Sequence, residues 1–342
     1  MRLQFLVASL VAAAVQLHGV LAASTQFHLS LVSDTSYMLD WVTPSTVKSS
    51  VLLYGTSATA LNQQIAAKPS GAVEQSAGAN VACWTALLQN LKPGSTVFYA
   101  LKGDTATPRS FTVPNKAITW AVFGDLAAPM LKRAAAVTLP ALKRELTAGA
   151  FQGVINLGNL GYQLVKENGE NYMDSLEDVT SKVPMQTTIG IQEHLHAASP
   201  EFALQNYQRR FAGLTVGAGT QSRSYSNEFY SFNAGLVHFV IINSEIYGNV
   251  PFFTKTNGAW RASQDARFAM AKAQAAWLEY DLSRVDRTVT PYVVMGGHRA
   301  PFRSAFTLGE RFAKEVLPLI SAYDVDLFVS GYDHTYLMFD ES

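Results

Sequence analysis

The sequence predicts a β-sandwich followed by an α/β domain, and two patterns along its 342 residues support this fold class. Residues 26 to 113 contain short alternating segments, roughly 8 to 12 residues apart and separated by turn-formers such as Lys92-Pro93-Gly94, as in antiparallel sandwiches. From residue 116 onward, apolar strands alternate with helical segments, which indicates α/β layers. A composition of 48% hydrophobic and 15% charged residues excludes disordered, collagen-like and coiled-coil chains.

The N-terminus has the pattern of a secretory signal peptide. Arg2 supplies the positive end, residues 3–15 are almost all apolar, and small residues stand at Ala22 and Ala23. A membrane anchor needs about 20 apolar residues, and Gln16 interrupts this run too soon. No later segment is long and apolar enough to span a bilayer. We therefore predict cleavage after Ala22, secretion to the extracellular space, and no membrane association of the mature chain.

The sandwich strands are predicted from six alternating segments. Their sequences are QFHLSLV, YMLDWVTP, SSVLLYG, ACWTALLQNL, STVFYALKG and RSFTV. Cys83 lies in one of them beside Trp84, which predicts a buried strand thiol. Because Cys83 is the only cysteine, no internal disulfide can form. Lys+Arg 26 balance Asp+Glu 26, and without a basic block nucleic acid and anionic lipid are not expected partners.

The second domain begins with a predicted strand, ITWAVFGDLA, whose continuous apolar run suits burial on both faces. A helix follows, with Thr138 as its cap and Pro140 in its first turn. Further strands are predicted at GVINLGNLGY, PYVVMGGH and VDLFVSGYDH. A long amphipathic helix is predicted just before the strand PYVVMGGH. Apolar residues recur there at steps of three and four: Phe268, Ala271, Ala275, Leu278 and Leu282.

Polar side chains follow four of these strands. They are Asp125, Asn159 with Tyr162, His298 and His334. Ligands of open α/β sheets gather beyond the carboxyl ends of the strands. We therefore expect these side chains to converge on one site, although a Gly-Asp pair or a histidine taken alone is more often structural.

The order of motifs along the mature chain, from QFHLSL to GYDHTY, resembles that of a purple acid phosphatase. The resemblance includes LKPGSTVFYAL, TLPALKREL, GNLGYQL, QNYQRRF, YSFNAGLVHFVIINSEIY, AAWLEYDL and VVMGGHRAPF. It implies a fibronectin type III-like N-terminal domain over residues 23–114, after a signal peptide over 1–22. It also implies a calcineurin-like metallophosphoesterase domain over 115–342, a two-sheet sandwich with flanking helices. Family members continue well beyond His334, so the resemblance implies that this domain is truncated at its C-terminus, through a shortened gene or an incomplete sequence.

The resemblance also implies a chemistry, hydrolysis of phosphate esters at two metal ions bridged by a carboxylate and a hydroxide. The first ion is iron, and its ligand positions correspond to Asp125, Tyr162, His334 and the bridging position, where Asn159 replaces aspartate. At the second ion, which would be zinc or manganese if the site is rebuilt, His298 is retained. Ile191 replaces an asparagine ligand there and Tyr332 replaces a histidine. Gln192 replaces the histidine that assists phosphate binding or the leaving group, so no catalytic residue is assigned.

Four positions of the implied chemistry are therefore substituted: 159, 191, 192 and 332. Asparagine offers one weak carbonyl donor and isoleucine offers none, so the second ion should bind poorly and the site should hold at most one iron. The leading hypothesis is a secreted protein of acid phosphatase ancestry with weak or lost activity. Two alternatives stay open: an active phosphatase rebuilt with His194, His196 or a Tyr332 phenolate, and a non-catalytic binding or surface-interaction module with an unidentified protein partner.

Overall fold

The structure, a computed structural model, describes most of the chain after the predicted signal peptide. The described residues are 25–74, 80–115, 117–126, 132–194, 204–248, 253–256, 259–301, 308–334 and 338. The predicted signal peptide over 1–22 and the candidate ligand His196 lie outside these ranges. Within them, the helices are all too short or too polar to cross a bilayer.

The N-terminal domain is a sandwich of two four-stranded antiparallel sheets. The first comprises β1 (Thr25–Ser33), β2 (Ser36–Pro44), β5 (Lys68–Glu74) and β6 (Asn80–Leu88), in the order β1-β2-β6-β5. The second comprises β3 (Val51–Gly55), β4 (Gln63–Ala66), β7 (Thr96–Leu101) and β8 (Arg109–Thr112), in the order β4-β3-β7-β8. All six segments predicted as strands are strands, and Cys83 is buried as predicted.

Stacked aromatic rings fill the space between the two sheets. Phe27 stacks on Trp41 of the same sheet with 6.1 Å between ring centroids. The ring centroid of Tyr99, from the other sheet, lies 5.9 Å from that of Phe27. Each ring comes from an inward-facing position of its strand, as the period-two alternation requires. The same core continues into the second domain without a break, because Tyr99 donates a hydrogen bond to Ser181 O at 2.8 Å.

The second domain contains two sheets that face each other. The first is parallel, in the order β11-β10-β9, and its strands are β9 (Trp120–Phe123), β10 (Gly153–Asn156) and β11 (Met185–Thr187). The second has the order β12-β13-β16-β17, with strands β12 (Tyr230–Ala234), β13 (Val237–Ile241), β16 (Tyr292–Gly297) and β17 (Leu327–Ser330). Only β12 runs antiparallel to its neighbour in that sheet.

The helices of the second domain are α1 (Lys132–Thr147), α2 (Lys166–Thr180), α3 (Ile191–His194), α4 (Gln205–Arg210), α5 (Ala212–Leu214), α6 (Gln264–Leu282), α7 (Gly309–Glu315) and α8 (Leu317–Ala322), and a hairpin of β14 (Phe253–Thr256) and β15 (Ala259–Ala262) precedes α6. α4 and α5 pack against the sandwich strands β5, β2 and β6, whereas α6 packs on the second sheet. In β13, Val240 packs in the same cluster as Leu278 of α6, whereas Phe239 lies 5.6 Å from the ring of Trp120 in the opposing sheet. The alternation of β13 thus orders the layers as helix, sheet, sheet, helix.

β1 is held from outside the sandwich by residues much later in the chain. The N–H of Gln26 donates to Glu177 Oε2 at 2.7 Å, and the hydroxyl of Thr180 donates to Phe27 O at 3.0 Å. Both partners lie on α2. A side chain of the first α/β sheet, Gln186, exchanges two hydrogen bonds with the backbone of Leu31. The two domains are therefore joined along the length of β1.

Two expectations about the second domain are corrected. The first helix begins at Lys132, well before the predicted cap at Thr138, because the alanine-rich sequence KRAAAV favours a helix and Pro140 is tolerated inside it. Strand β9 is not buried on both faces, since Val122 is 42% exposed. β9 is the edge strand of its sheet, and its other three residues are only partly buried.

Candidate active site

Four strands of the second domain end in loops that meet around one carboxylate. Asp125 follows β9, Asn159 follows β10, and His298 and His334 follow β16 and β17. Asp125 Oδ1 lies 2.9 Å from Asn159 Nδ2. The same oxygen lies 3.4 Å from His334 Nε2 and 3.9 Å from His298 Nε2. The structure therefore brings together four of the five residues proposed as metal ligands.

The backbone fixes the direction of the Asp125 side chain. Its φ of 58° lies in the left-handed region, and its N–H donates to Gly158 O at 2.6 Å. The strand ends approach closely because Gly124 lacks a side chain; a Cβ there would lie 3.0 Å from Gly331 Cα. Asp125 Oδ2 accepts the backbone N–H of Tyr332 at 2.7 Å. Both carboxylate oxygens thus already accept hydrogen bonds from the protein.

Asn159 is hydrogen-bonded at both ends of its amide. Its Nδ2 donates to Asp125 Oδ1, and its Oδ1 accepts the backbone N–H of Gln192 at 2.9 Å. These partners fix the orientation of the amide, since one is an acceptor and the other a donor. Gly190 makes room for this arrangement, because a Cβ there would overlap Asn159 Oδ1. An amide fits this position, whereas a carboxylate would face the negative charge of Asp125.

His298 is fully buried and presents one nitrogen to the site. Its Nδ1 lies 2.9 Å from Leu157 O, so the proton sits on Nδ1 and Nε2 keeps its lone pair. Burial lowers the pKa of His298 below its ordinary value, although the nearby Asp125 carboxylate opposes the shift. Within the described part of the chain, Nε2 has no hydrogen-bond partner. A buried, unpartnered imidazole nitrogen of this kind is a suitable metal ligand.

Glu193 connects two loops of the site. Its Oε1 accepts the N–H of Leu160 at 3.0 Å, and its Oε2 accepts the N–H of Gly190 at 2.8 Å. Burial raises the pKa of Glu193 to about 7, against these two hydrogen bonds. No role for Glu193 follows from its sequence position. The structure shows that it holds the backbone beside Asn159 and Gln192 in place.

A buried ion pair lies next to His298 and was not predicted. Arg299 Nε donates to both carboxylate oxygens of Glu245 at 2.8 Å. The guanidinium also lies 4.2 Å from the centre of the Tyr332 ring, which in turn meets the His298 ring edge-on at 5.4 Å. Burial raises the pKa of Glu245 to about 7, although Arg299 lowers it. The Tyr332 ring therefore contacts both the His298 ring and the Arg299 guanidinium.

The remaining candidate side chains form no hydrogen bond with Asp125 in the described ranges. Tyr162 is half-buried, and no hydrogen bond or ion pair links its side chain to the cluster within the described ranges. Ile191 begins α3, and Gln192 contributes its backbone N–H rather than its side chain. Burial lowers the pKa of His194 to about 4, against a hydrogen bond with Asn243.

These residues do not fit the two-metal centre implied by the resemblance. The position of the bridging carboxylate holds a neutral amide that is already hydrogen-bonded at both ends. No group of three or more His, Cys, Asp or Glu side chains in the described ranges has a geometry suited to a metal ion. What suits a metal is the unpartnered nitrogen of His298, with the Asp125 carboxylate and the exposed His334 imidazole beside it, and these are too few donors for two ions.

Comparison with known proteins shows which family the chain resembles. Residues 24–113 match the family model of the purple acid phosphatase N-terminal domain. Mouse acid phosphatase type 7 is 26% identical over 275 residues, which cover 73% of this chain and 55% of the mouse protein. Arabidopsis thaliana purple acid phosphatase 23 is 33% identical over 165 residues, covering 47% of this chain and 30% of that protein.

The fold agrees with these relatives. A purple acid phosphatase from yellow lupin (Lupinus luteus) seeds superposes with a TM-score of 0.60 at 14% identity, covering 91% of this chain and 58% of the lupin chain. At this identity the superposition shows the fold alone. It matches the observed order, a β-sandwich followed by an α/β domain. Family model, sequence relatives and fold all indicate the same similarity: the N-terminal domain matches that of purple acid phosphatases, and the chain resembles acid phosphatases of this kind in sequence and in fold.

Proposed function

We propose that this chain is a secreted purple-acid-phosphatase-like protein, of phosphomonoester hydrolase ancestry, in which the dinuclear metal centre is degraded. It binds at most one metal ion, and its phosphatase activity is weak or lost. The single observation that carries the proposal is the Asn159 amide, which is hydrogen-bonded to Asp125 Oδ1 and to the N–H of Gln192. Secretion rests on the signal-peptide pattern of residues 1–22.

Charge explains why one amide has this effect. Phosphoester hydrolysis at two metal ions needs an anion that bridges the ions and balances their charge. A neutral amide cannot do this, and the Asn159 oxygen is already used by Gln192. The Ile191 side chain supplies no donor atom for the second ion. The remaining groups, Asp125, His298 and His334, can orient a phosphate or a water molecule but lack the charge to stabilise the transition state.

The proposal is tested by metal content and turnover of the full-length chain. Its recovery from the culture medium of a eukaryotic host tests secretion. After dialysis against a chelator and reloading with iron and zinc, we expect at most one metal ion per chain and slow hydrolysis of an aryl phosphate. The combined variant Asn159→Asp, Ile191→Asn, Gln192→His and Tyr332→His should bind more metal and turn over faster. Single reversions should do little, because such residues act as a unit.

A stability measurement gives an independent readout. Asn159→Asp places a second carboxylate beside Asp125 Oδ1, so it should lower the Tm of the metal-free protein through like-charge repulsion. Asn62→Asp, at an exposed position, is the matched control. Two metal ions per wild-type chain after dialysis would overturn the proposal. So would turnover at ordinary enzyme rates that is lost in His298→Ala, and this result would favour a site rebuilt with His194 or His196.

A further inference from the structure

A cavity of about 370 Å³ lies at the opposite end of the second sheet from Asp125. It is lined by residues at the amino-terminal ends of β13 and β16 and at the C-terminal end of α6. His298 follows the other end of β16, and six residues of strand span about 20 Å. The cavity is therefore separate from the candidate active site, and its volume is in the range of small-ligand pockets.

His238 and Asp281, which line this cavity, belong to a polar cluster whose members hydrogen-bond to one another. His238 Nε2 lies 2.9 Å from Asp281 Oδ2, and its Nδ1 lies 2.7 Å from Asn233 Oδ1. The hydroxyl of Ser231 donates to the other oxygen of Asp281 at 2.5 Å. Both oxygens of this buried carboxylate are thus occupied. Asp281 is directed at His238 and Ser231, and not at the cations on the rim of the cavity.

Two arginines without a carboxylate partner line the cavity. The guanidinium carbons of Arg223 and Arg284 lie 5.6 Å and 5.0 Å from the centre of the Tyr280 ring. Both cations are therefore held near the same aromatic ring by cation–π attraction. In the described part of the chain, neither arginine has an ion pair or a side-chain hydrogen bond. The other acidic residue of the lining, Asp286, accepts two hydrogen bonds from Thr288 in its own turn.

We propose that this cavity binds a phosphate-type oxyanion, held by Arg223 and Arg284. Each guanidinium carries five N–H donors in a planar fork that matches two oxygens of an anion. One fork saturates a carboxylate, whereas the three terminal oxygens of a phosphoryl group can occupy two forks. The organic part of a phosphate monoester would lie against Val285 and Val289, which also line the cavity.

The test measures binding of inorganic phosphate and phenyl phosphate to the full-length, chelator-treated protein by calorimetry and by Tm. Arg223→Gln and Arg284→Gln should each raise the Kd about tenfold or more, the usual effect of losing charged hydrogen bonds. Arg144→Gln, at an exposed arginine that pairs with its neighbour Glu145, is the control and should change nothing. All three side chains are exposed, so the variants should fold. Tighter binding of phenyl phosphate would identify an ester as the ligand, and equal binding would identify the free anion.

A His298→Ala variant separates this site from the candidate active site, and phosphate binding should persist in it. The proposal is overturned if phosphate binds equally to wild type and Arg284→Gln, or if His298→Ala abolishes the binding. It is also overturned if phosphate stabilises the protein no more than chloride at the same ionic strength. That result would mean that Asp281 and the C-terminal carbonyls of α6 repel anions from the cavity.

Discussion

Glu193 has both carboxylate oxygens occupied by backbone N–H groups of different loops, Leu160 on one side and Gly190 on the other. Glutamine has the same shape but only one acceptor oxygen, so in Glu193→Gln one N–H would face the NH2 group of the amide. A buried donor without an acceptor costs about 1 to 3 kcal/mol. We expect Glu193→Gln to lower the free energy of unfolding by that amount, measured by urea denaturation.

The control for this prediction is Glu145→Gln. Glu145 is exposed and pairs only with the neighbouring Arg144, so its replacement should change stability by no more than about 0.5 kcal/mol. If the two variants lose equal stability, Glu193 does not hold the loops. The position of Asn159 would then depend on the glycines around it.

The candidate site could be predicted from the sequence to the extent that it depends on strand ends. Asp125, Asn159, His298 and His334 follow apolar strands, and parallel strands deliver their carboxyl ends to one edge. The role of Glu193 could not be predicted, because it joins a neighbouring backbone group, the N–H of Gly190, to the N–H of Leu160 in a loop 33 residues earlier. Tyr162 was expected to join the others, but its backbone, with φ of 43°, belongs to an irregular turn that no periodic pattern specifies.

At the scale of elements, prediction succeeded where a strand or helix carries a regular apolar pattern. The helix containing Ala271, Leu278 and Leu282 is α6, and all three side chains are buried as expected. Strands β4 and β5 were not predicted, because the sequences QQIA and KPSGAVE are mostly exposed and show no alternation. They form because β3 and β6 offer neighbouring backbone groups, which is tertiary information.

The start of α6 depends on a side-chain cap. Ser263 Oγ accepts the N–H of Ala266 at 3.2 Å, one of the donors that the first turn cannot satisfy internally. Ser263→Ala should therefore lower the free energy of unfolding by about 1 kcal/mol, and Ser263→Asp should retain most of the stability. Ser283→Ala, at the other end of the helix, is the matched control, measured by the same denaturation. A loss equal to that control would show that the cap contributes nothing.

At the scale of the whole molecule, the contact between the domains contains a buried carboxyl group. Asp40 of β2 lies against α5, where its Oδ1 accepts the N–H of Gly213 at 3.0 Å. Burial raises the pKa of Asp40 to about 8. Nearby, burial lowers the pKa of His28 to about 4, and its Nε2 lies 3.7 Å from Asp40 Oδ2. The two groups therefore give stability opposite dependences on pH.

The sign follows from proton counting. Between about pH 4 and pH 8 the folded chain keeps the Asp40 proton and the unfolded chain has lost it, so this group makes stability fall as pH rises. His28 acts in the other direction from about pH 4 to 6.5 and is common to wild type and variant. Asp40→Asn keeps the acceptor for Gly213 and removes the titration. The variant should gain on wild type by at most about 1.4 kcal/mol per pH unit in this range.

Urea denaturation at pH 5, 6.5 and 8 checks this prediction. The expected result is a difference between Asp40→Asn and wild type that grows with pH. Asp34→Asn, at an exposed position in the turn between β1 and β2, is the matched control. A constant difference for Asp40→Asn would mean that Asp40 titrates as it does in the unfolded chain.

The hydrogen bonds that hold β1 from outside the sandwich can form only after much of the chain has been synthesised. The partner of Gln26, Glu177, lies 151 residues later in the chain, and the partner of His28, Arg210, lies 182 residues later. At ribosomal rates that interval is on the order of ten seconds or more. Until then β1 has only its sandwich neighbours, and its outer face is exposed. The outer face of β1 therefore gains its partners from the second domain only late in synthesis.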